Sequence, residues 1–310
     1  MALSACGDDS GEATGTRWLT TSEDSPPTLL SGVGLYTEMA TREVYDDLIT
    51  YEPNHPLYSN GLAKERHLYV PEGVSIDGVG SRDWEFPEGT LIAKTFVYEG
   101  APVETRLIFL TDDGWDYALY QWSDDAMDAT RLEGNWGEVP LVLGGGERSH
   151  TLPGRLDCRT CHETHEAVAG APVLGIDPWQ ASEALAASGV FSSSPTRLTA
   201  EGRTAAETAA FSYFIGNCTS CHNGGDSINS SFSLYPGDAV ASTVDQPTES
   251  ETGAGIRVVP GVPEESVLFV TVVEAPKPSY RGPFKDMPPI GVDETDPLAE
   301  PILREWIEEL

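Results

Sequence analysis

Basic residues are scarce in this chain. Eighteen Lys and Arg stand against 50 Asp and Glu over 310 residues, a formal net charge of −32. Nucleic-acid binding needs Lys and Arg to displace phosphate counterions, so nucleic acid is excluded as a partner. No run of about 18 or more apolar residues occurs, and no segment reads as a membrane-spanning helix. Cysteine is sparse too, with five residues at positions 6, 158, 161, 218 and 221. Apolar and aromatic residues are not short. The chain is 39% hydrophobic, with seven Trp, eleven Tyr and nine Phe, enough to bury real cores. Its length suits one large domain or two ordinary ones.

Four of the five cysteines fall into two Cys-x-x-Cys-His strings, Cys158-Arg-Thr-Cys161-His162 and Cys218-Thr-Ser-Cys221-His222. This is the attachment signature of c-type haem. The two thiols add across the vinyl groups, and the adjoining imidazole binds the iron. Two other chemistries use such cysteine pairs. A thioredoxin-like dithiol has no need of the trailing His and expects a βαβ setting. A four-cysteine zinc site would leave both histidines idle and would have to close a long gap between its pairs. Two complete strings that consume every cysteine beyond the N-terminus point to two covalently bound haem c groups, with His162 and His222 as iron ligands.

The remaining cysteine lies in Leu3-Ser4-Ala5-Cys6, which resembles a bacterial lipobox, followed by a polar, Gly-rich run. The charged and apolar segments that precede such a box are missing before it, which suggests a truncated start. The expectation is lipidation at Cys6. Any membrane association would then run through that anchor alone, and the location would be the periplasm or cell surface of a bacterium. Haem attachment outside the cytoplasm agrees with export.

The pattern along the chain changes character. Residues 1–27 read as leader and tether, and a short helix is expected around Met39 to Leu48. From 51 to about 150 strand signals dominate. Leu91 to Tyr98 and Thr105 to Leu110 are apolar and β-branched. Thr111-Asp112-Asp113-Gly114 is a hairpin turn leading into the aromatic run Trp115 to Trp122, and Gly144-Gly145-Gly146 marks a loop. A helix is expected over Trp179 to Ala187, then a linker at Ser192-Ser193-Ser194-Pro195. Beyond it, Thr204-Ala-Ala-Glu207 fits a capping box, and the helix it opens runs into Cys218. Near the end, Pro301 suits a first helical position, with Ile302, Leu303, Trp306, Ile307 and Leu310 on one face.

Residues from about 200 to the end resemble a class I cytochrome c. The resemblance rests on a helix leading into Cys218-Thr-Ser-Cys221-His222, on Val259-Pro-Gly-Val-Pro-Glu-Glu-Ser-Val-Leu268, on Asp286-Met287-Pro288-Pro289, and on a closing helix ending Trp306-Ile307. It implies His222 as proximal and Met287 as distal ligand, the pairing that raises a haem's potential. The prolines after Met287 would stiffen its loop. A six-coordinate iron has no vacant position, so this part is expected to carry electrons.

Trp84-Glu-Phe-Pro-Glu-Gly-Thr-Leu-Ile-Ala-Lys94, Gly114-Trp115 and the Cys158 string resemble the β-rich cytochrome c-prime-beta group. That group includes relatives oxidising hydroxylamine through a lysine-modified haem. Tyr51-Glu-Pro-Asn-His-Pro-Leu-Tyr-Ser-Asn-Gly is similar to uncharacterised bacterial dihaem lipoproteins. The c-prime-beta resemblance offers Lys94 as a counterpart of the modifying lysine, against the plain reading of a solvated strand residue. The distal ligand of this first haem stays open between His150, His165, Met127, His67, Met39 and a vacant position that would bind nitric oxide, peroxide or hydroxylamine; His150, placed in a loop before the motif, is the named candidate.

The whole reads as an α+β multidomain protein: a β-rich haem domain over 28–195, then an all-α class I cytochrome c domain over 196–310. Electron transfer between redox partners is the expected function. The alternative is a haem enzyme or small-ligand-binding protein using an open site at the first haem. The anionic charge has two readings, a solvated surface that confers solubility or salt tolerance, and electrostatic steering of a basic redox partner.

Overall fold

The computed structural model describes residues 17–21, 25–80, 82, 84–135, 137, 139–146, 148–225, 231–249, 253–273 and 284–310. It is mixed α and β, built on one six-stranded antiparallel sheet. Cys6 and most of the expected tether lie outside the described residues. No described helix is long and apolar enough to cross a membrane.

The sheet runs in sequence order through β3 (Leu48–Thr50), β4 (Ala63–Tyr69), β5 (Leu91–Tyr98), β6 (Ala101–Thr111), β7 (Gly114–Trp122) and β8 (Ala129–Arg131). The expected hairpin is present: Thr111 pairs with Gly114 around Asp112-Asp113. Alternation along β5 and β6 sends successive side chains to opposite faces. Leu91, Ala93, Leu107 and Phe109 join Ala118, Tyr120 and Trp122 in one core. Ile92, Ile108 and Tyr117 face the other way, towards Ile76, Trp84, Val173, Ile176 and Leu185.

Two expectations near the N-terminus are corrected. Residues 39–48 form no helix; the segment is a small ribbon, β1 (Tyr36–Glu38) with β2 (Glu43–Val44), turning through Arg42 at φ 56. Val44 and Tyr45 reach the sheet core from there, and that burial outweighs helix periodicity. Residues 17–21 are not tether: Trp18 and Leu19 are buried, and Trp18 meets Phe109 edge-on at 5.2 Å.

A second ribbon, β9 (Val139–Leu143) and β10 (Arg148–Leu152), precedes α1 (Arg155–Ala169), which carries the first Cys-x-x-Cys-His string. The helix after it, α2 (Glu183–Ala186), is shorter than expected, because Pro178 to Gln180 form a turn capped by Asp177. The expected linker is pinned: Ser192 and Thr196 donate backbone bonds of 2.9 and 2.8 Å to Ile76 and Gly78.

Helices dominate from there. Thr204 caps α3 (Ala205–Asn217) by accepting from the Glu207 amide at 3.1 Å. Glu207 turns to Arg203 rather than completing a reciprocal box. After α4 (Ala239–Thr243) come α5 (Val267–Val273) and α6 (Ala299–Glu308). Pro301 sits in the first turn of α6, third rather than first, still among amides that have no helical acceptor. Phe214 of α3 meets Trp306 of α6 edge-on at 5.2 Å, at the centre of a core of Phe211, Phe269, Leu303 and Ile307.

The halves are bonded to each other. Asn217 accepts from the Tyr58 amide at 2.8 Å. Asp293 accepts from the Thr151 amide at 2.8 Å, and Glu294 pairs with Arg148 at 2.8 Å.

Candidate cofactor site

The two Cys-x-x-Cys-His strings come together. Cys161 of α1 and Cys221 after α3 lie within hydrogen-bonding reach of each other. Beside them, Asn223 donates its side-chain amide to the Thr164 carbonyl of α1 at 2.9 Å. The contact pushes the Cys161 thiol up and draws the Cys221 thiol down. Burial pushes the Cys218 thiol up to about 12 and raises Cys158 as well. All four thiols are free of disulfides.

The strings differ in local structure. The first lies inside α1, so its residues share one helical face. The second forms the turn closing α3, where the Cys218 carbonyl accepts from the Cys221 and His222 amides at 3.1 and 2.8 Å. Both place Cys, Cys and His on one connected stretch of backbone. All six residues are enclosed deep in the fold, yet each keeps accessible surface. Side chains that line a recess have that combination.

The imidazoles suit metal binding. Burial lowers His162 to about 3, and His165 and His222 to about 4, so all three are neutral at physiological pH. Neutral imidazole is the ligating form. His162 Nδ1 lies 2.5 Å from the Pro172 carbonyl, an acceptor only. The proton must therefore sit on Nδ1, which leaves Nε2 with its lone pair for a metal. Metal-ligating histidines are oriented by this kind of bond. The His222 ring stacks on Phe232 at 4.3 Å, and Arg257 lies over the Phe232 ring at 4.7 Å. Met287 is part-buried, and its amide donates to the Thr271 carbonyl of α5 at 3.1 Å.

The candidates for a second ligand beside the first string are scattered. His150 is on β10 rather than in a loop, wholly buried, with both nitrogens engaged: Nε2 lies 2.8 Å from Glu104 Oε1 and Nδ1 3.1 Å from Asn60 Nδ2. His67 bonds Thr50 at 3.0 Å and packs on Tyr36, on the sheet face away from α1. Met39 packs into that same outer core, and Met127 is 55% exposed in a turn. His165 is buried beside the string, three residues beyond His162 on the same helix. The structure thus brings Cys158, Cys161, His162, Cys218, Cys221 and His222 together and leaves those others apart.

Do the residues fit a haem? Buried polar atoms ordinarily find partners. Around the first string Arg106 Nε, Tyr117 Oη and His165 Nδ1 have none among the described residues. Tyr117 lies with its ring 5.3 Å from that of His162. Unpaired donors around a recess that holds two thiols and a neutral, oriented imidazole fit a bulky group with its own acceptors. Among the described residues no three His, Cys, Asp or Glu converge as a chelating cluster for a bare ion.

Two features here escaped sequence reading. Pro172 as the partner of His162 is one; its signal is only a carbonyl ten residues downstream. The other is a set of cations on the inner sheet face. Lys94 is part-buried rather than freely solvated: it lies on the inner sheet face, and burial together with Arg106, Arg66 and Lys64 lowers its amine to about 7. A lone charge amid Leu91-Ile-Ala-Lys-Thr-Phe-Val was the available hint. No family model, curated protein or solved structure matches this chain.

Proposed function

We propose that the chain is an exported two-haem c-type cytochrome that carries electrons between redox protein partners. Haem, when bound, supplies the redox-active iron; the protein attaches, orients and tunes it. Cys158 and Cys161 would hold one group, and Cys218 and Cys221 the other. His162 and His222 would ligate the irons, and Met287 would complete the second.

The observation that carries the reading is the meeting of the two Cys-x-x-Cys-His strings, with Cys161 against Cys221 and every thiol unbonded. Porphyrins tied to adjoining cysteines must lie close together, which is what passing an electron between them requires. The bond from His162 to Pro172 supports it by leaving Nε2 free. The chain's −32 charge would favour basic partners, and lipidation at Cys6 would hold the protein at the periplasmic or cell surface.

A second reading concerns the first haem. His150 has no free nitrogen, His67 and Met39 belong to the far face, and Met127 is exposed. These positions favour an open sixth coordination site there, and with it an enzyme or binding protein for nitric oxide, peroxide or hydroxylamine. Ferric and ferrous absorption spectra with and without those ligands separate the two. Unresponsive low-spin spectra mean a carrier. A high-spin fraction that shifts on ligand addition means an open first haem.

A further inference from the structure

Four cations share the inner face of the sheet, the face that α1 covers. Arg66 of β4 pairs across the ladder with Lys94 of β5, which pairs with Arg106 of β6. They form a row of three side by side. Lys64 lies one step along, opposite Phe96, and that ring has Lys64, Lys94 and Arg106 within 5.7, 5.4 and 4.2 Å of its centroid. Like charges so arranged repel strongly in a low dielectric, and a chain this acidic had carboxylates in plenty with which to neutralise them.

It has supplied two. Glu104, wholly buried, pairs with Arg106 at 2.5 Å, and Glu52 pairs with Arg66 at 2.5 Å. Lys64 donates to the Leu57 carbonyl at 2.6 Å, which brings no charge. Lys94 makes no hydrogen bond or ion pair among the described residues, and Arg106 Nε is buried without an acceptor. Arg66 and Arg106 therefore each have a bonded carboxylate, while Lys64 and Lys94 have none among the described residues. Arg106 keeps 21% of its side chain accessible although it lies deep in the fold between β5 and β7, as a recess-lining residue does. Lys94 and Arg106 both act electrostatically on Cys158 and His162 without bonding to them, so they lie near the string.

We propose that Lys94 and Arg106, with Arg66 behind them, form the binding site for a pair of carboxylates, and that these are the propionates of the haem attached at Cys158 and Cys161. This rests on the two-haem reading above. A haem carries two propionates on the porphyrin edge opposite its vinyl groups. Thioether attachment at Cys158 and Cys161 would hold the propionates away from those cysteines, and the nearby cations Lys94 and Arg106 could receive them. Two carboxylates would give an acceptor each to Arg106 Nε and Lys94 Nζ, which have none among the described residues. Charge-assisted bonds of this kind are the strong ones. Positive charge held there favours the electron-richer ferrous iron, so the row raises the potential of the first haem relative to what solvent-exposed propionates would give.

The test is a spectroelectrochemical titration of the mature, haem-loaded protein, read together with redox-difference infrared spectra in the carboxylate region. Lys94→Gln is the principal variant, because Lys94 bonds no group among the described residues and its loss orphans none of them. The expected result is a downward shift of one midpoint potential with the other unmoved, a shifted propionate band, and recovery of both in Lys94→Arg. Arg106→Gln should move the same midpoint further; if that variant fails to load haem, Lys94→Gln still decides. Fully loaded Lys94→Gln with both midpoints and all carboxylate bands as in the parent overturns the assignment. A parent protein carrying no haem overturns the two-haem reading itself, a different and separately visible failure.

Discussion

The two Cys-x-x-Cys-His strings sit against contrasting walls. The first faces a β-sheet bearing Arg66, Lys94, Arg106 and Glu104. The second is enclosed by helices, with Cys218 against a core centred on Phe214 and Trp306. One short motif has thus been set in two kinds of surroundings. An ionisable wall can shift a cofactor's potential through charge, whereas an apolar helical wall acts through exclusion of water and ligand placement. Under the two-haem proposal, a carrier would gain direction from two centres set in such different surroundings.

The sharpest way to break that contrast is to disable each wall in turn. Glu104→Ala leaves Arg106 and His150 buried without their partner and should cost about 3–5 kcal/mol. Trp306→Ala should cost a similar ~3–5 kcal/mol through the cavity it opens. The two losses differ in how they are mended. Adding Arg106→Met to Glu104→Ala should recover part of the stability, because the stranded charge is gone, while no single polar change rescues Trp306→Ala. Denaturant unfolding of the four proteins checks this; failure of Arg106→Met to recover anything would remove charge as the basis of the first wall.

Asp177 gives the next effect. Its carboxylate caps the turn carrying Gln180, which accepts from the His55 amide at 2.9 Å and donates to the Ile215 carbonyl of α3 at 3.5 Å, and so helps join the halves. Burial raises its pKa from 3.8 to about 6. Between those values the folded form binds more protons than the unfolded chain, so stability falls as pH rises from about 4 to 6 and stays lowered above. Asp177→Asn keeps an acceptor for the Trp179 amide and should add up to about 3 kcal/mol at neutral pH, at 1.36 kcal/mol per pKa unit. It should also flatten the stability profile over that window, read from melts at several pH values.

Gly216 is a smaller test of how the walls are brought together. A Cβ there would lie 2.8 Å from the Pro56 carbonyl oxygen, where the segment before Tyr58 crosses α3. Alanine favours helix, yet Gly216→Ala should destabilise by about 1–3 kcal/mol through overpacking. A more stable variant would mean that the crossing is not tight. Smallest is Asn223→Ala, which removes the bond from the second string to Thr164 and should cost about 1 kcal/mol, with haem loading retained.

The strands at 91–98 and 105–110, the Asp-Gly turn between β6 and β7 and the Thr204 cap were readable because each depends on local chemistry. The six residues proposed for attachment and ligation could be picked out because they lie in contiguous strings. What escaped depends on register and long-range packing. That Arg66, Lys94 and Arg106 form a row follows only from strand pairing. That His162 faces Pro172 depends on how the chain turns after α1. Met39 to Leu48 misled because helical spacing is met by chance in a short ribbon whose Val44 and Tyr45 pack on the sheet. The engaged state of His150 needed Asn60 and Glu104, 90 and 46 residues away.

The most direct measurement is the intact mass, under denaturing conditions, of protein matured in a bacterium able to attach haem c. Two covalent haem additions are predicted in the wild type, and one in the double variant Cys218→Ser with Cys221→Ser. Wild-type protein at the bare polypeptide mass, or holding zinc at its four thiols, would contradict the two-haem reading.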